Sequence, residues 1–182
     1  MSHARRDGPD DVLDEWFRDP ERWWKWDPAF DDDLRKRYGE DVEAGIRGEL
    51  DHWASTPRGA LALVILLDQI ARNIYRDTRR MYAGDAKAVA TCLEVIERGE
   101  DVSFSDDERH FLYMPLMHSE DRALQERSLE KFRELGQGLA YAEHHAGIVF
   151  RFGRFPHRNA VLGRESTAEE IEFLKHDDSS FS

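Results

Sequence analysis

Apolar residues along this chain recur at steps of three and four, and no segment shows the strict alternation of a half-buried strand, so the pattern predicts helix after helix. From about Asp10 to Arg18, Val12, Leu13, Trp16 and Phe17 share one helical face. The aromatic segment Trp23-Trp24-Lys25-Trp26 follows, and Asp27-Pro28 then offers an N-cap with proline at the first helical position. A second helix is predicted from there to about Tyr38-Gly39. A third, from about Glu40 to Trp53, carries Val42, Ile46, Leu50 and Trp53 on its apolar stripe. Thr56-Pro57 repeats the cap signal, and the helix it opens, reaching about Tyr75, is apolar on every side from Leu61 to Leu67. A helix apolar all round is one buried between others, so this segment is predicted to be the centre of the fold.

Polar punctuation bounds the remainder. Asp85 to Arg98 closes at Gly99, and Ser105-Asp106-Asp107-Glu108 has the capping-box form. Ser119 is placed to cap a helix ending near Leu135 before Gly136, and another spans about Leu139 to Phe152. Thr167-Ala168-Glu169-Glu170 is a second capping box, opening a short helix with Ile171, Phe173 and Leu174 on its buried side. The prediction is an all-α protein of about eight or nine helices, in which short loops make successive helices antiparallel, as in bundles and helical-repeat proteins. One domain over residues 1–182 is expected, with the ends, about 1–9 and 177–182, frayed.

Composition narrows the classes of partner. A formal charge of -12 disfavours nucleic acid and anionic membrane surfaces, which require a basic field. The longest apolar run, Ala60 to Leu67, is far too short to span a bilayer. Cys92 is the single cysteine, which rules out an intrachain disulfide and a cysteine-based zinc site, and a reducing cytoplasm is the expected location. The tryptophans Trp16, Trp23, Trp24, Trp26 and Trp53 read as core and helix-packing residues, with an aromatic binding cage as the alternative.

Three segments could carry chemistry. At the end of the apolar helix, Asp68, Arg72 and Arg76 recur at i, i+4 and i+8 and share a face, with Gln69 and Asn73 on the adjoining ridge. They form either a solvated ion-pair ladder or a set of groups carried into a cavity, where charges must be paired or bind something. The segment from Arg151 through Arg154, His157 and Arg158 to Asn159 is the most unusual in so acidic a chain. Arginine forks suit carboxylate or phosphate, and histidine moves protons near neutrality. The plainer reading pairs Arg151 and Arg154 with acids such as Asp68 or Glu120. Third, His118, Ser119 and Glu120 sit at a helix joint, where Ser119 as a plain cap competes with a catalytic role for His118. His144-His145 precede the arginine segment, and one must face inward. No recognised metal spacing is present, and no cofactor is specified.

Several long strings carry a resemblance: Val12-Leu13-Asp14-Glu15-Trp16-Phe17, the segment from Thr56-Pro57-Arg58 to Leu63, Leu66-Leu67-Asp68-Gln69 with Arg72-Asn73, the run from Phe111 to Glu120, and the run from Arg151 to Asn159. On these the chain resembles, over nearly its whole length, the bacterial proteins grouped as domain of unknown function 924. The resemblance implies a tetratricopeptide-like arrangement of helix pairs and no established activity, substrate or cofactor.

The functional expectation is a site for a small anionic molecule. In it Arg58, Gln69, Arg72, Asn73, Arg76, Arg151, Arg154, Arg158 and Asn159 supply binding groups, and Asp68, His118, Glu120, His145 and His157 supply acid–base groups. Two alternatives stand beside it. One is a tetratricopeptide-like module that binds a protein or peptide without catalysis. The other is a polar cluster that only fixes helix register.

Overall fold

The computed structural model describes residues 8–176, so the expected fraying of 177–182 and of 1–7 lies outside the described residues. Helix α1 (Pro9–Phe17) starts at Pro9, where the Asp11 carboxylate accepts the Gly8 N–H at 2.8 Å. As the spacing predicts, α1 buries Val12, Leu13 and Trp16. The aromatic segment folds back on it, with the Trp23 indole N–H donating to the Trp16 carbonyl at 2.8 Å. Trp16 and Trp53 are core residues, but Trp24 and Trp26 are 62% and 71% exposed, which corrects their reading as core.

Helix α2 (Pro28–Arg47) starts where Asp27-Pro28 places it, the Asp27 carboxylate accepting the Ala29 and Phe30 N–H groups. It does not stop at Gly39, so the two helices expected here are one. Leu34, Tyr38 and Val42 continue a single buried stripe across the glycine, and burying such side chains at about 1.5–3 kcal/mol each outweighs the roughly 1 kcal/mol that glycine costs inside a helix. The stop comes at Gly48, in the left-handed conformation with φ 86°, and the Trp53 end is a short 3₁₀ turn, Asp51–Ser55.

The central helix is continuous from Pro57 to Ile74 in three parts: α3 (Pro57–Val64), a π-helical stretch (Ile65–Ile70) and α4 (Ala71–Ile74). Thr56 caps it through the Gly59 N–H, and every residue from Gly59 to Ala71 is buried. Its α3 part packs on α1, on α5 (Asp85–Glu97) and on α6 (Asp106–Met117), and its π-helical part packs on α2, so the predicted centre is the observed one. From there α5, α6, α7 (Arg122–Leu135) and α8 (Leu139–Phe152) pack in chain order. The Ser105/Glu108 and Thr167/Glu170 capping boxes form as read, but α7 is capped by Asp121, whose carboxylate accepts the Leu124 N–H at 3.0 Å, and not by Ser119. Ser119 instead accepts the Asp121 N–H one turn earlier.

Two short helices, α9 (Asn159–Leu162) and α10 (Ala168–Phe173), close the described chain over a small second core of Ile148, Val149 and Phe155. In α10 Phe173 packs against this second core and Leu174, at the C-cap, is half-buried, as expected, but Ile171 is 52% exposed and the buried residue is Glu170. The described residues contain no strand, so the protein is all-α, and no described helix is long and apolar enough to cross a membrane.

Candidate functional site

The π-helical stretch determines how the polar end of the central helix is presented. A widened turn adds a residue to the local repeat and is a common device at functional positions. Asp68 and Gln69 lie within it, Asp68 with no exposure at all. Asp68 accepts from His118 Nδ1 at 2.8 and 3.0 Å on its two oxygens and from Gln69 Nε2 at 2.6 Å. Arg72 Nη1 donates to the Asp68 main-chain carbonyl at 2.7 Å and lies 3.1 Å from its carboxylate, and the same guanidinium grips Asp85 through two bonds of 2.9 Å. Arg158 approaches from the far side. Its Nη2 donates to the His118 carbonyl at 2.9 Å, and the guanidinium carbon sits 4.6 Å over the Tyr82 ring and 4.5 Å over that of Phe155.

Electrostatics sort these groups. Burial opposes charge on Asp68, but Arg72 and His118 hold its carboxyl below the usual carboxylate range. A carboxylate can only accept, so Nδ1 of His118 carries the ring proton and Nε2 keeps its lone pair. Nε2 makes no hydrogen bond with a described residue. Burial also lowers the affinity of His118 for a second proton, against the pull of Asp68. Two further imidazoles are nearby and neutral. His145, its ring centroid 5.8 Å from that of His118, is pushed down to about 2 by burial and then by His118. His157 is pushed down to about 4 by burial and by Arg158.

The charges are unevenly shared. Arg72 takes both oxygens of Asp85, which leaves Arg158 a 3.8 Å approach to that carboxylate, and the Nε of Arg158 meets no acceptor among the described residues. Burial, followed by repulsion from Arg72, makes the Arg158 cation less favourable than an ordinary guanidinium. Arg158 is thus a buried cation, 7% exposed, with two aromatic faces, one carbonyl and only the 3.8 Å approach to Asp85 for an anion.

The cluster therefore gathers Asp68, Gln69, Arg72, His118 and Arg158, flanked by His145 and His157. The other sequence candidates lie elsewhere. Arg76 and Asn73 both bind Asp31 on α2, at 3.2 and 2.7 Å, because the helix ends at Ile74 and the π turn breaks the i, i+4, i+8 face. Arg58 pairs with Asp10 at 3.1 Å and Glu108 at 3.6 Å, beside α1. Arg151 is paired with Glu169 on the surface. Arg154 grips Glu170 at 2.7 and 2.8 Å and, with Asn159 on the same carboxylate at 3.3 Å, anchors α10. Glu120 is held by Arg164 at 2.7 and 2.9 Å and by the Phe155 N–H at 2.8 Å, so it ties the turn after α8 to the start of α7. His145 gives its Nδ1 proton to the Tyr141 carbonyl at 2.7 Å, as a satisfied core histidine does. Sequence reasoning missed Asp85, Tyr82 and Arg164. The sequence marks Asp85 only as the start of a helix, and its position beside the arginines of two distant segments is set by packing.

The fold and this cluster define an all-α protein with a buried Asp–His pair and adjoining arginines at the polar end of its central helix. The chain belongs to the DUF924 family of bacterial proteins of unknown function, whose profile matches residues 12–178. It is 43% identical to a protein of unknown function from Agrobacterium tumefaciens, whose solved structure superposes with a TM-score of 0.88 over 92% of this chain and 96% of that one. No curated protein matches the chain.

Proposed function

We propose that the His118–Arg158 side of this cluster binds a small anionic molecule, with Arg158 neutralising its charge and His118 accepting a proton from it or from an attacking group. The observation that carries the reading is Arg158, a buried guanidinium with an Nε that finds no acceptor among the described residues, next to an imidazole oriented by Asp68. An oriented Asp–His pair is the ordinary way to build a base near neutral pH, since the carboxylate fixes the tautomer and steadies the imidazolium that forms. The same proposal takes the chain as one domain and the α6–α8 stack as tetratricopeptide-like. It places the protein in the cytoplasm, in keeping with the buried free thiol of Cys92.

The test is thermal unfolding against a panel of phosphates, carboxylates and nucleotides. A ligand at about 100 times its dissociation constant adds about 2.7 kcal/mol, and each kcal/mol moves the midpoint by roughly 2–4 °C at this size. The expected result is a rise of several degrees for one anion class, absent in Arg158→Gln and retained in Arg151→Ala, whose guanidinium lies on the surface with Glu169. A shift that survives in Arg158→Gln, or a flat panel, removes the reading.

A further inference from the structure

A second feature shares no residue with the Asp68–His118 cluster. Trp24 and Tyr141, 62% and 63% exposed, stand with parallel planes, 2° apart, and centroids 6.4 Å from one another. Trp23 meets Trp24 edge-on at 88° and His110 meets it at 77°, so the rings wall a cleft of about 270 Å³ between the segment after α1, helix α6 and the start of α8. Leaving two large rings in water forfeits burial that this chain exploits for Trp16 and Trp53, and side-by-side exposed aromatics beside a concavity mark a binding surface.

The charge around the cleft selects its occupant. Asp107 lines it, and no described Lys, Arg or His pairs with that carboxylate, although the other first-turn acids of α6 are engaged, Asp106 with Arg109 and Glu108 with Arg58 and the Ser105 N–H. Burial keeps His110 neutral, so no imidazolium competes with a bound cation, and Lys25, on the adjoining segment, is turned to Glu21 at 3.5 Å. Ring faces are the negative pole of the aromatic quadrupole and attract cations, but they accept hydrogen bonds poorly. An ammonium carrying N–H groups would lose hydration here without replacing it, whereas a fully alkylated nitrogen has no N–H to satisfy. We propose that this cleft binds a small quaternary-ammonium cation, caged by Trp23, Trp24 and Tyr141 and steered by Asp107.

The experiment titrates the full-length protein with choline chloride, and in parallel with 3,3-dimethylbutan-1-ol, the uncharged molecule of nearly the same shape, at constant ionic strength. The readout is the NMR signals of the Trp24 indole and the Tyr141 ring. The expected outcome is saturable movement of both signals by choline in the millimolar range or below, with the neutral molecule far weaker. Trp24→Ala and Asp107→Asn should each weaken choline binding by on the order of fivefold or more. Trp24 and Asp107 are both exposed, although Trp24 stacks on Phe111 and Asp107 lies in the first turn of α6, so the variants should stay folded with the melting temperature lowered by only a few degrees, and Tyr141→Ala provides a third check. Equal binding of the neutral molecule would make the cleft a plain apolar groove. No movement with choline, or binding indifferent to both Trp24→Ala and Asp107→Asn, would equally overturn the proposal.

Discussion

Arg72 and Arg158 show how one side-chain type acquires different roles from its neighbours. Both lie over the Tyr82 ring, Arg72 partly buried and Arg158 buried, but Arg72 lies between Asp68 and Asp85, so its charge is stabilised beyond that of a free guanidinium, whereas that of Arg158 is destabilised. Neither outcome can be read from the segments in which they occur, because Asp85 and His118 come from other helices. Gly59 is a steric counterpart: a Cβ there would lie 2.1 Å from the Trp53 carbonyl oxygen, a backbone atom that cannot step aside. Gly59→Ala should therefore lower stability by about 3 kcal/mol or more, measured as a drop in urea midpoint. An unchanged midpoint would show that the turn before α3 yields.

At the scale of elements, most caps were legible, Ser119 being displaced by Asp121, and continuity was not. Asp27, Thr56, Ser105 and Thr167 each bond the free N–H groups of the turn they precede, which requires only local geometry. Whether Gly39 ends a helix depended on what the helix packs against, and α2 packs against the central helix with Leu34, Tyr38 and Val42 buried, which carries it through the glycine. Because Gly39 is mid-helix and an added Cβ would meet only the Arg35 side chain at 3.9 Å, Gly39→Ala should stabilise the protein by about 0.5–1 kcal/mol. A calorimetric midpoint that fails to rise would mean that this helix is strained at the glycine. The π turn was hidden for a similar reason. Leu66-Leu67-Asp68-Gln69 has no sequence mark of a widened turn, and the turn is paired with Arg72 donating to the Asp68 carbonyl.

For the whole molecule, the buried histidines set how stability follows pH. His145 and His157 bind protons in the folded state only near about 2 and about 4, far below the ordinary value of 6.5. The unfolded chain therefore holds more protons than the native one as pH falls below about 6.5, and stability must decline with it. Each such histidine contributes about 1.4 kcal/mol per pH unit within its window. The contribution is absent above the unfolded value, and for His157 it levels off near about 4. Urea unfolding of His157→Gln between those limits should show a slope shallower by that amount. An unaltered slope would mean that His157 titrates normally in the native protein.

Taken alone, the sequence determined the all-α class, the buried central helix, most helix ends and the family, since these rest on periodicity, capping and turn chemistry acting within a few residues. It also marked Asp68, Arg72, His118 and Arg158 as unusual. Tertiary structure alone decided which of the marked residues meet. Asp68 and His118 are 50 positions apart, and their contact depends on how the central helix and α6 pack and on one widened turn. Packing likewise turned Arg76, Arg151 and Arg154 toward Asp31, Glu169 and Glu170, and left Trp24 and Tyr141 side by side in water. A side chain's partner is a long-range property of the fold, whereas its tendency to form or cap a helix is a local one.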